Sequence, residues 1–140
     1  KAVADILRAT LRPYDLAADT RALRARVRSE CHALVRALAA RNWAEASELV
    51  QATPGDAWDA ARFEAEMAGF HSAHERILVD PRSRRADLCV LHALAPRHFE
   101  VHQALLDSEG DDDWSFEAEI DLREDPNPSG PLLRMRRIGI

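Results

Sequence analysis

The stretch of sequence that decides the fold is WSFEAEIDL, residues 114–122. Its apolar side chains fall at every second position, and its polar side chains fall between them. The apolar positions are Trp114, Phe116, Ala118, Ile120 and Leu122, and the polar ones are Ser115, Glu117, Glu119 and Asp121. A period of two is typical of a β-strand that buries one face and exposes the other. This stretch therefore predicts a strand of an antiparallel sheet with one polar face.

Three more strands are predicted on either side of it. Residues 86–94 form an apolar run, residues 97–106 alternate between apolar and polar side chains, and residues 131–138 supply a last strand. The connections are short, as at Ala95–Pro96 and in the proline-rich turn at 126–131. Short connections favour an antiparallel meander of about four strands.

The residues before the strands have a helical period instead. Apolar side chains at helical spacing predict a long amphipathic helix over residues 20–41. Asn42 is a suitable N-cap for a second, shorter helix, and a third is expected over residues 56–74. A leader helix over residues 3–11, ended by Pro13, precedes all of them.

Helices that come first and strands that come later define an α+β class. We expect about three helices packed on a curved sheet. We divide the chain into a leader or linker segment, residues 1–19, and a single α+β domain, residues 20–140.

Composition excludes several functions. With 46% hydrophobic and 31% charged residues, the 140-residue chain is globular rather than disordered. No apolar run approaches the ~20 residues that span a bilayer, so we expect a cytoplasmic protein without a membrane partner. The five glycines are not spaced as a phosphate loop, so we expect no nucleotide hydrolysis and no cofactor. Cys31 and Cys89 are interpreted as small buried hydrophobes rather than a redox pair.

The first candidate site is a basic flank of the long helix. Arg21, Arg24 and Arg28 lie on one side of its apolar stripe. Residues 1–41 hold nine basic and four acidic residues, although the whole chain has a formal charge of −5. Such a flank is suited to phosphate contacts. The simpler interpretation is a solvated helix flank.

Two further patterns resemble metal sites. His71 and His74 are three residues apart on the third helix, a spacing at which two imidazoles can share a metal. The acidic residues after the second strand have alternate spacing, as in a calcium loop, but Gly110 and Ala118 stand at the wrong positions. We favour a packed histidine and a solvated hairpin loop, and predict no metal. The acidic residues are Asp107, Glu109, Asp111 and Asp113.

The last candidate is the polar face of the sheet. His98 and His102 lie on one strand, and Glu117 and Glu119 lie on the next. Histidines beside carboxylates are the side chains that general acid–base catalysis uses, and they are also suited to the lining of a ligand pocket. The same pattern is expected of an exposed, charge-paired sheet face, with Arg134 and Arg136 pairing across to the two glutamates. No catalytic residue is assigned.

Several stretches together carry a family resemblance. They are Thr20–Arg24, Ala44–Leu49, Trp58–Phe63, His98–Asp107, Glu109–Trp114, Glu117–Leu122, Gly130–Pro131 and Arg137–Gly139. Over roughly residues 20–140 the chain resembles the uncharacterised domain at the C-terminal end of a group of bacterial DEAD/DEAH-box helicases. The order of its elements is similar to nuclear transport factor 2-like folds, whose helices and sheet form a cone.

The resemblance implies a non-catalytic accessory domain of an ATP-dependent RNA helicase. Its partners would be the motor domains of the same polypeptide and RNA. Two alternatives remain open: a ligand-binding or enzymatic cone that uses the histidine and glutamate face, and a homodimer that buries the sheet face.

Overall fold

The computed structural model describes residues 14–140. Over that range three α-helices precede four β-strands, which confirms the α+β class. The elements are α1 (Thr20–Ala39), α2 (Trp43–Glu48), α3 (Ala60–Ala73), β1 (Cys89–Ala95), β2 (His98–Leu105), β3 (Trp114–Asp121) and β4 (Arg134–Gly139). Short 3₁₀ turns occur at Leu16–Ala18, Pro81–Arg84 and Ala86–Leu88. The leader helix predicted over residues 3–11 lies outside the described residues.

Each α-helix begins at a side-chain cap. Asp19, Asn42 and Asp59 each accept the backbone N–H of the residue three positions later. Such a cap satisfies one of the donors that a helix leaves unpaired at its first turn. The third helix was predicted from residue 56 and begins at Ala60 instead, because Asp59 is extended and caps it.

The four strands form one antiparallel sheet in the order β1-β2-β3-β4, which confirms the predicted meander. The register pairs Val101 with Ala118 and Phe116 with Ile138. All four of these side chains are buried. They share a face with the rest of the apolar positions of β3, and α1 and α3 pack against this inner face. The opposite, outer face has the polar side chains of β2 and β3 except Gln103, which shares the inner face with Phe116.

The two edge strands differ from their predicted bounds. β1 begins at Cys89 rather than residue 86, because residues 86–88 form a 3₁₀ turn. β4 begins at Arg134 rather than residue 131. A bulge interrupts β4, where Met135 pairs with Ala118 but the next pairing joins Arg137 to Glu117. One extra residue in a strand shifts the later side chains by one position.

The segment just before α1 packs onto the sheet domain. Leu16 is buried in the core, and its N–H donates to the carbonyl oxygen of Pro126 at 3.0 Å. Asp15 forms an ion pair of 2.6 Å with Arg97, in the turn between β1 and β2. The described end of the predicted leader segment thus contacts the domain directly.

Candidate functional site

A groove separates α1 from the edge strand β1. Arg24 and Arg28 are four residues apart, so both side chains stand on one flank of α1, with buried Val27 between them. On the other side, Cys89 and Leu91 face inward from β1 but are only half buried. The space between these side chains is a cavity of about 270 Å³. We call this cavity, together with the second cavity described in the next paragraph, the α1–β1 groove.

The groove continues past Arg28 and Cys89 into a second cavity of about 210 Å³. Here the far side is the 3₁₀ turn Pro81–Arg84 and the residue after it, which contribute Arg84 and Arg85. Neutral polar groups complete the lining. They are Ser29 and His32 from α1, Ser83 from the turn and Gln103 from β2. Two elements far apart in sequence therefore present arginines to one continuous groove.

The groove is electropositive. Arg85 pairs with Asp87 at 3.2 Å. Within residues 14–140, no carboxylate lies within 4 Å of the guanidinium groups of Arg24, Arg28 or Arg84. Burial lowers the pKa of His32, and the positive charges of Arg36 and Arg84 lower it further. The imidazole is thus neutral at pH 7, as expected beside uncompensated cations.

The arginines that the sequence grouped together have different environments. Arg24 and Arg28 line the groove, whereas Arg21 is exposed and lines neither cavity. Arg26, on another side of α1, donates to the carbonyl oxygens of Pro128 and Gly130 at 2.7 and 2.8 Å. Arg26 is therefore a structural residue that holds the turn before β4.

Sequence reasoning missed Arg84 and Arg85 as site residues. The signal was present, because three arginines follow Pro81 within four positions. What the sequence could not indicate is that this turn lies opposite α1.

The outer face of the sheet is a charge-paired surface. Nε2 of His98 lies 2.5 Å from Oε2 of Glu119, and both Arg134 and Arg136 also pair with that carboxylate. Glu119 is only 5% exposed, so these partners occupy it on all sides. Both carboxylate oxygens are thus engaged by His98, Arg134 and Arg136, which leaves neither free for acid–base chemistry.

The other predicted pair on this face is looser. His102 stands directly across from Glu117 in the strand register and is exposed. Glu117 lies 3.5 Å from Arg137 rather than pairing with Arg134 or Arg136, because the β4 bulge puts Arg137 opposite it. Neither cavity of the α1–β1 groove is lined by these four predicted pocket residues.

The two metal-like patterns meet in space. His74 is buried, as expected, and its Nδ1 lies 2.8 Å from Glu109 and 3.7 Å from Asp107. Asp107, predicted to be solvated, is 1% exposed, because its carboxylate accepts three backbone N–H groups of its own loop. The hydrogen bond to Glu109 raises the pKa of His74. With the oxygens of Asp107 already occupied, we interpret the cluster as an ion-paired loop anchor.

His71 does not join this cluster. Its ring packs edge-on against Trp43 and Phe70, with centroid distances of 6.0 and 5.2 Å. Its two nitrogens have no hydrogen-bond partner among the described residues. Ligand atoms of His74, Asp107 and Glu109 lie within 4.8 Å of one another, but His71 is not in that group. The predicted sharing of one metal by the two histidines has no support in this geometry.

Comparison with known proteins identifies the family. The model of a family described as a domain of unknown function, DUF3516, matches residues 2–138. The chain belongs to that family, which confirms the expectation of an uncharacterised domain. No curated protein matches the chain. No solved structure matches it either. Among the described residues, no helix has both the length and the apolar character needed to cross a membrane.

Proposed function

We propose that this chain is a non-catalytic accessory domain of a bacterial ATP-dependent RNA helicase and that it contacts RNA through the α1–β1 groove. The helicase assignment is supported by the sequence resemblance described above. The RNA contact is supported by one observation above all. Arg24, Arg28 and Arg84 converge on one groove, with no carboxylate partner among residues 14–140.

Unpaired guanidinium groups are well suited to phosphates. A guanidinium offers planar pairs of N–H donors that match phosphate oxygens, and it stays charged at any physiological pH. A carboxylate beside it would compete with the phosphate for those donors. The absence of such a neighbour in the described part of the chain leaves the donors free for a ligand.

The net charge of −5 does not oppose this assignment, because the charges are segregated. Acidic side chains gather in the loop after β2, residues 107–113, where His74 lies against them. Others lie on the outer face of the sheet, paired to arginines of β4. A local positive groove attracts a polyanion even on an acidic domain, since screening limits the range of other charges to about 8 Å at physiological salt.

The motor chemistry is assigned to other domains of the same polypeptide. This chain has no glycine-rich phosphate loop, so ATP would be bound and hydrolysed elsewhere. The domain would guide the strand or orient it relative to the motor, and the motor domains are its proposed partners.

The test is a titration of the chain with fluorescent single- and double-stranded RNA. We expect micromolar binding at ~50 mM salt that weakens at ~200 mM, because phosphate contacts release counterions. Arg28→Ala and Arg84→Ala should each weaken binding roughly five-fold, about 1 kcal/mol. Arg123→Ala is the matched control, because it removes the same charge from an exposed side chain paired with Asp121. Equal effects of all three variants would refute the groove as the contact site.

A homodimer is the second candidate, and one observation favours it. Within residues 14–140 no helix packs on the outer face of the sheet, and Val90 of β1 is 38% exposed there, next to His102 in the register. A concentration-dependent dimer that dissociates on Val90→Glu would support this role. A chain that stays monomeric at high concentration by light scattering would exclude it.

A further inference from the structure

Gln103 is the polar exception on the inner face of the sheet. It lies in β2 between the inward positions of Val101 and Leu105, and it pairs with Phe116 of β3 in the register. Those three neighbours are buried apolar side chains, whereas Gln103 is an amide that is only 4% exposed. A buried amide costs stability unless its donors and its acceptor are hydrogen-bonded. Its place in the core therefore requires partners.

The amide of Gln103 is only partly satisfied. Its Nε2 donates to the carbonyl oxygen of Ala104 at 3.0 Å, which uses one of the two amide hydrogens. The second hydrogen and Oε1 make no hydrogen bond within residues 14–140. The side chain lines the second cavity of the α1–β1 groove. Gln103 thus offers one donor and one acceptor to a ligand in that cavity.

The second cavity suits a single flat heterocycle. Its volume is about 210 Å³, below the ~300–1,000 Å³ of pockets that enclose a whole drug-sized ligand. The imidazole of His32, which also lines it, is a ring on which a base can stack. Arg28 and Arg84 are exposed and line the same cavity, so their guanidinium groups are placed for phosphates outside it. A nucleobase inside, with its sugar and phosphates at the entrance, fits this distribution of groups.

We propose that the second cavity holds one unstacked base of the bound RNA, with adenine preferred, and that Gln103 recognises the edge of that base. This inference rests on the proposed RNA contact and adds a base-reading residue to it. Oε1 accepts the N6–H of adenine and Nε2 donates to N7, the bidentate pairing that glutamine makes with this base. A base enters the cavity only after it has left its stack, so the ligand is single-stranded RNA.

The test compares short RNAs that differ at one position. Fluorescence anisotropy measures binding of an oligouridylate and of the same strand with its central uridine replaced by adenosine, cytidine or guanosine. We expect the native chain to bind the adenosine strand roughly five-fold or more tightly than the other three. Gln103→Met has a side chain of similar length without the donor and the acceptor. It should abolish the preference and leave the slope of log K against log salt unchanged, because no phosphate contact is lost.

Arg24→Ala is the matched contrast, because Arg24 lines the first cavity and not the second. It should weaken binding of all four strands by the same factor and keep the preference for adenine. Urea unfolding checks that both variants fold. Gln103→Met should be at least as stable as the native chain, since it removes a partly bonded amide from the core.

Equal binding of the four strands, a preference for another base, or an adenine preference that persists in Gln103→Met would overturn the proposal. Each of these results leaves the RNA contact standing if Arg28→Ala and Arg84→Ala still weaken binding. Loss of base recognition is thereby separated from failure of the proposed function.

A second measurement needs no RNA. Adenosine monophosphate and uridine monophosphate are added to the isotope-labelled chain while NMR follows the side-chain amide of Gln103. We expect a larger shift of this resonance with the adenine nucleotide, and a resonance that neither nucleotide moves would contradict recognition by Gln103. A shift in a chain that binds no RNA would assign the cavity to a free nucleotide and refute the proposed function instead.

Discussion

Asp107 is the residue whose loss should most clearly destabilise the loop after β2. Its carboxylate is buried and accepts the backbone N–H groups of Glu109, Asp111 and Asp112 at 3.0, 3.1 and 2.8 Å. Asp112 has a φ of 52° in this loop, a left-handed conformation that is costly for a residue with a side chain. The carboxylate therefore holds together a loop whose backbone is locally strained.

The expected cost follows from those bonds. A hydrogen bond to a charged group contributes about 1.5–3 kcal/mol, but the three share the two oxygens of one carboxylate, and their donors regain water when it is removed. We therefore expect Asp107→Ala to lower the free energy of unfolding by about 3–4 kcal/mol. Asp107→Asn retains one acceptor oxygen, which serves two of the three donors, so we expect roughly half that cost.

The assay is urea unfolding followed by tryptophan fluorescence and circular dichroism. The control is Asp111→Ala, which removes an exposed carboxylate from the same loop and leaves its backbone N–H in place. This variant should cost less than ~0.5 kcal/mol. If Asp107→Ala costs no more than Asp111→Ala, the carboxylate does not anchor the loop and the reasoning is refuted.

Two other outcomes are expected. The hydrogen bond to Glu109 raises the pKa of His74 in the folded chain, so its stabilisation is complete below ~6.5 and is lost as pH rises through the folded value. Stability should therefore fall as the pH rises above ~6.5 in the native chain and not in His74→Gln. Arg26→Ala removes two bonds to the turn at 128–130 and should cost about 2 kcal/mol, measured by urea unfolding.

Each of these has its own control. Glu109→Gln should reduce the pH dependence in the same way as His74→Gln, and a dependence that survives both variants would mean that another group titrates. Arg36→Ala removes a charge from an exposed position of α1 and should be nearly neutral.

The sequence predicted the elements that depend on local periodicity. The alternation of residues 114–122 corresponds to β3, and Asn42 begins the second helix where capping chemistry expects it. These signals are local, because the side-chain period of a strand or a helix can be read from a few consecutive residues. The sequence did not predict the bulge in β4, because one extra residue cannot be recognised in the alternation of so short a strand.

The candidate site depended on contacts that no local pattern encodes. Arg28 and Arg84 are separated by more than fifty residues, and the packing of α1 on the sheet decides that they share a groove. The same holds for His74 and Asp107, which belong to two separate patterns in the sequence and meet only in the folded chain. In each case the residue types were visible, whereas their proximity was a property of the fold.

The most direct test of the central claim is the salt dependence of RNA binding by the native chain and by a double variant, Arg28→Ala with Arg84→Ala. For single-stranded RNA, each phosphate contact contributes about 0.7 to the slope of log K against log salt. The account predicts that the double variant binds more weakly and that its slope is smaller by about 1.4, with Arg123→Ala unchanged. A native chain that binds no RNA at low salt, or a double variant with the native slope, would contradict it.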